Sequence, residues 1–139
     1  MKKTSLSIIV MLACLFVACT EDTFEESQFS DLPPSDLNYS QIINSYLGAE
    51  FKSGQPSVYT YGKKPTFSIT SGRTSTAELD EATLALFSIA DSTGIIMLES
   101  GNPLGLETYS LDINVETDNG STAFKDGFEM EISEKSVEP

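Results

Sequence analysis

The chain contains no histidine and no tryptophan, and its only two cysteines, Cys14 and Cys19, fall within the first nineteen residues. Each absence removes a chemistry. Without histidine there is no imidazole to act as a general base, to complete a nucleophilic triad or to ligate a transition metal. Without cysteine beyond Cys19, the folded part has neither a disulfide framework nor a thiolate metal site, so its core must hold it together. Lack of tryptophan removes the largest aromatic face for packing on a sugar ring. No Gly-rich phosphate loop leads into a lysine and a helix. Basic residues are also scarce: beyond Cys19 there are six against twenty-one acidic ones, a net charge of minus fifteen. Such a surface repels nucleic acid and anionic headgroups. Carboxylates are abundant, but no two are singled out as a glycosidase pair. The expectation is a protein that is not an enzyme and carries no cofactor.

What is present begins with Lys2 and Lys3, followed over residues 6–17 by an almost unbroken apolar run. That order is the n-region and h-region of a signal peptide. The run is short for a membrane span, and the acidic residues after it provide no stop-transfer cluster. Leu15-Phe16-Val17-Ala18-Cys19 resembles the lipobox of bacterial lipoproteins, with Phe16 where Leu is usual. The resemblance implies that residues 1–18 are removed and that Cys19 becomes the lipid-bearing first residue. Met11-Leu12-Ala13-Cys14 is a second, less attractive candidate lipobox, because cleavage there would leave Leu15, Phe16 and Val17 exposed. Residues 19–34 read as an acidic flexible tether containing Glu21, Asp22, Glu25 and Glu26 and closing with Pro33-Pro34. Acidic residues behind a lipidated cysteine resemble the export signal of Bacteroides-type bacteria. That likeness implies the outer membrane, facing the cell surface.

Over residues 35–134 the chain becomes a series of short β-branched and aromatic segments divided by Gly, Pro, Asn and Asp. In residues 109–116, Tyr109, Leu111, Ile113 and Val115 alternate with polar side chains, which is the period of a half-buried strand. Asp118-Asn119-Gly120 gives a turn between antiparallel neighbours, through either a tight hairpin or a longer loop. Phe124, Phe128, Met130 and Ile132 resume the alternation, with Gly127 a bulge or close approach. Thr66-Phe67-Ser68-Ile69-Thr70 reads as a strand ended by Ser71-Gly72, and residues 84–89 as a less regular one. Asp91-Ser92-Thr93-Gly94 turns into the strand Ile95-Ile96-Met97-Leu98. In the turn, Asp91 can accept bonds from following amides and Gly94 can adopt a left-handed conformation. Residues 38–52 fit either a capped helix or irregular strands, and strands are favoured. A helical turn is expected within residues 76–83. Residues 135–139 form a tail. About seven strands predict an all-β, two-sheet sandwich.

Phe87-Ser88-Ile89-Ala90-Asp91-Ser92-Thr93-Gly94-Ile95-Ile96, Tyr109-Ser110-Leu111-Asp112-Ile113-Asn114-Val115 and Pro65-Thr66-Phe67-Ser68-Ile69 resemble strands and turns of cadherin-like or immunoglobulin-like modules. The precursor as a whole resembles N-terminal modules of Bacteroides-type outer-surface lipoproteins. The resemblance implies a spacer or accessory role in a cell-envelope assembly, with an outer-membrane protein or polysaccharide as partner and the membrane reached through the lipid. Two alternatives have candidate residues. Glycan binding would use Tyr59 and Tyr61, whose i,i+2 spacing places both on one strand face. Calcium binding would draw oxygens from Asp118, Asn119 and Glu107.

Overall fold

The computed structural model describes residues 31–40 and 43–135; the expected signal segment, both candidate lipoboxes and most of the expected tether lie outside the described residues. Nine strands are present among the described residues: β1 (Ser35–Asn38), β2 (Ile43–Tyr46), β3 (Phe51–Lys52), β4 (Ser57–Tyr59), β5 (Thr66–Arg73), β6 (Ser88–Ile89), β7 (Ile96–Leu98), β8 (Thr108–Thr117) and β9 (Gly120–Ser133). One short α-helix among the described residues, α1 (Glu81–Leu84), precedes β6. A four-stranded sheet runs β2-β9-β8-β5 and a three-stranded sheet β3-β7-β6, with a β1-β4 ribbon beside them. All pairings are antiparallel except β2 with β9.

Alternation along β8 builds the core. Tyr109, Leu111, Ile113 and Val115 are buried, as are Phe128, Met130 and Ile132 on the facing strand β9. Ile96 and Leu98 meet them from the other sheet, together with Phe87 and Leu104. Phe128 is the aromatic hub: Tyr39 stands edge-on to it at 5.2 Å and Phe51 tilts against it at 6.1 Å. The Tyr109 hydroxyl closes on the backbone of Gly105, accepting its amide at 3.0 Å. A tyrosine at the start of a strand bonding a few residues upstream is the tyrosine corner of immunoglobulin-like sandwiches.

Several sequence expectations are corrected. The two-sheet sandwich itself stands, with nine short strands among the described residues where about seven were expected. Just past β3, the Ser53 hydroxyl accepts the Ile96 amide at 2.8 Å while its own amide donates to the Ile96 carbonyl, a side chain standing in for a ladder bond. Strand β5 does not end at Ser71-Gly72 but continues to Arg73. Gly72 is there for space, since a Cβ on it would meet the Leu111 Cδ2 at 2.8 Å. Residues 84–89 are strand only at Ser88–Ile89, because Asp80 caps the preceding turn by accepting the Thr83 amide at 2.7 Å and carries helix through Leu84. Within residues 38–52, the described part is β-strand where it is regular.

The β8-β9 link is a tight hairpin, Thr117 pairing with Gly120 across Asp118 and Asn119. In the other turn Gly94 adopts φ 74°, but the amides close on the Ala90 carbonyl and the Thr93 hydroxyl rather than on the Asp91 carboxylate. Pro34, assigned to the tether, is buried and its carbonyl accepts the Thr122 hydroxyl at 2.6 Å. The packed unit thus begins at the two prolines.

Candidate functional site

Cys19 lies outside the described residues. Tyr59 and Tyr61 do not share a strand face, because β4 ends at Tyr59 and Tyr61 sits in the next turn with φ 54°. Tyr59 is 65% exposed beside a groove of about 220 Å³ lined by Asp36, Ser57 and Val58. Tyr61 instead shares a hydrogen bond with the Ser35 hydroxyl at 3.0 Å, tying the turn to β1. The proposed calcium donors are not brought together either. Glu107 precedes β8 and Asp118 follows it, so ten strand residues, roughly 30 Å, separate them. One ion needs its six to eight oxygens at about 2.3–2.6 Å. Among the described residues, no group of three or more His, Cys, Asp or Glu side chains is placed to hold a metal.

Two features were not singled out in the sequence. The first is an ionic knot on the outer face of the four-stranded sheet. Asp112, from β8, accepts two bonds from the Arg73 guanidinium, at 3.0 and 2.6 Å, and one from the Ser71 hydroxyl at 2.5 Å. It also accepts the Asp126 backbone amide at 2.8 Å, and Arg73 reaches the Asp126 carboxylate in turn. Glu78 completes the set at 3.5 Å from the arginine. The Arg73 bonds hold the Asp112 carboxyl well below the usual carboxylate range, and Asp112 raises the guanidinium in return. The alternating pattern showed Asp112 facing outward; its partners, thirty-nine and fourteen residues away, left no local signal.

That knot clamps the second feature. Between the Leu111–Phe128 and Ile113–Phe124 pairs, β9 inserts Lys125, Asp126 and Gly127 opposite the single residue Asp112. Asp126 takes φ 51° to make the bend. A groove of about 640 Å³ opens between this bulge and the end of β1. Leu37, Tyr39 and Phe124 are half-buried along it, while Asn38, Lys125 and Glu129 are exposed. Tyr39 is fixed by its hydroxyl, which donates to the Gly94 carbonyl at 2.6 Å, and burial pushes its ionisation upward. A sequence signal for the bulge did exist in Gly127; for Asn38 and Tyr39, distant in the chain, there was none.

No protein-family model matches the sequence, and no curated protein sequence matches it. Solved structures do. One is a SusE-like, surface-located polysaccharide-binding protein from the heparin utilisation locus of Bacteroides thetaiotaomicron, with a TM-score of 0.59 and 20% identity. The match covers 70% of this chain but 16% of that one. Another is the extracellular cadherin domains 1–5 of protocadherin gamma B2, with a TM-score of 0.50, 14% identity and coverage of 76% and 20%. The chain therefore spans a fifth or less of each of these structures, and what it shares with them is the fold, an immunoglobulin-like or cadherin-like β-sandwich.

Proposed function

We propose that the chain is a non-enzymatic surface module, anchored through a lipid on Cys19, that acts as a structural spacer or accessory domain in a cell-envelope assembly. One observation carries the reading. The chain joins the sandwich at Pro34, beside Thr122 near the β8-β9 hairpin, and leaves it at Ser133, at the far end of β9. Allowing for the bulge, the intervening strand separates those points by roughly 30 Å. A module with attachment points at opposite poles holds apart whatever is joined to each. Its likeness to a domain-sized part of a surface-located protein supports the same reading.

Surface display is tested with an epitope fused to the C-terminus of the full chain. Antibody is expected to label intact cells, and Cys19→Ser to release the protein from the membrane fraction. Labelling that requires permeabilised cells would overturn the surface placement. An unmodified N-terminus beginning beyond Cys19 would overturn the anchor. Of its two candidate tyrosines, the glycan-binding alternative keeps Tyr59, since Tyr61 is tied to β1. Its support is the 65% exposure of that ring.

A further inference from the structure

We infer that the groove between the end of β1 and the β9 bulge is a binding site for a neutral, hydroxyl-rich ligand of the hexose-oligosaccharide class. The spacer role does not require it, so the two stand or fall separately. The groove exists for a structural reason. Strand β2 pairs with β9 only from Met130 onward, so along residues 123–129 that flank of β9 has no paired strand among the described residues and is lined by β1.

The chemistry along the groove is mixed in the way sugar recognition requires. Leu37, Tyr39 and Phe124 supply apolar surface for the C–H face of a pyranose ring. Asn38 offers an amide, Lys125 three N–H donors and Glu129 an acceptor. A sugar hydroxyl donates and accepts, so such a rim satisfies both of its capacities. Gly127 keeps the floor low: a Cβ there would come within 3.1 Å of the Leu37 Cδ2 and of the Phe124 carbonyl.

Pre-organisation comes from behind. The Asp126 amide is held by Asp112 and its carboxylate by Arg73, which fixes the bulge before any ligand arrives. Bulges of this kind commonly re-aim side chains at sites. Size also favours this groove over the one at Tyr59. Its volume of about 640 Å³ lies within the roughly 300–1,000 Å³ typical of ligand sites, and the 220 Å³ beside Tyr59 falls below it. Charge selects within the class. Lys125 shares the groove lining with Asp126 and Glu129, on a chain whose part beyond Cys19 carries minus fifteen. Sulfated and uronic polymers are repelled, which leaves neutral sugars.

The test is calorimetric titration of the mature chain with neutral gluco-, manno- and galacto-hexasaccharides in both α and β linkages, alongside a heparin hexasaccharide. At least one neutral ligand is expected to bind with one-to-one stoichiometry, and more tightly than the heparin fragment. Asn38→Ala and Lys125→Ala should each weaken it about tenfold, while Tyr59→Ala leaves it unchanged. All three positions are exposed, and unchanged melting curves verify that the variants fold. No neutral binding up to about 10 mM, tenfold above a weak Kd of about 1 mM, would overturn the proposal. So would binding lost in Tyr59→Ala but kept in the groove variants, an outcome that assigns the sugar to Tyr59. Either result leaves surface labelling of the tagged chain unaffected.

Discussion

Asp112 carries four hydrogen bonds on the outer face of the sheet, two from Arg73, one from Ser71 and one from the backbone of Asp126. Because its carboxyl is held low in the folded state, the unfolded chain binds a proton there first as pH falls. The stability it contributes is complete above the unfolded aspartate value of about 4 and is lost as pH drops from there towards the lower folded value. Asp112→Asn should therefore melt lower than the native chain at pH 7 and show a shallower decline below about pH 4. Solvent reaches the pair and screens it, so the neutral-pH difference is expected to be about 5 °C by thermal denaturation. At this scale the sequence was legible where neighbours in the chain decide the outcome. Gly94 was read as left-handed and is. Tyr61 was misread, because its partner Ser35 lies twenty-six residues back and pulls it out of the strand. Arg73 was passed over for the same reason: its value depends on carboxylates brought by two other strands.

Parity governs the elements. Three residues of β9 stand opposite one of β8, an excess of two, so Phe124 and Phe128 both face inward across the bulge. Deleting Gly127 alone would make the excess one and turn Phe128, Met130 and Ile132 to solvent. Each of these is buried, and losing even one such side chain from a core costs about 2–5 kcal/mol. That variant is expected not to fold. Deleting Asp126 and Gly127 together keeps the phase and forfeits the Arg73 contact, so it should fold with a lowered melting temperature. Circular dichroism and thermal melting of the two variants distinguish these outcomes. Strand existence was readable in β8, β9 and β7 because strict alternation or a β-branched run left little choice. Boundaries failed where a side chain replaced the backbone as hydrogen-bond partner, as Asp80 does before α1 and Ser53 does between β3 and β4. Those substitutions are tertiary or capping events that periodicity does not record.

For the whole molecule, the imbalance of charge sets the expected response to solution conditions. A part carrying minus fifteen repels itself, and salt screens that repulsion over a Debye length of about 10 Å at 0.1 M. Raising sodium chloride from about 10 to 150 mM should increase the melting temperature by a few degrees, the Debye length shrinking from roughly 30 to 8 Å. Calcium at equal ionic strength tests for a specific ion effect: an additional increase abolished by chelator would require a site other than the separated trio Glu107, Asp118 and Asn119. Composition alone conveyed this behaviour and the reliance on a disulfide-free core. It could not convey the pairing of β2 with β9, which is parallel while its neighbours are antiparallel. That pairing decides how the domain bears load. If one pole is held at a membrane and the other is pulled, β2 is drawn backward along its axis while β9 is drawn forward. The bonds from Ile43–Met130 to Tyr46–Ser133 then resist together in shear, so they would part as a group and not one after another.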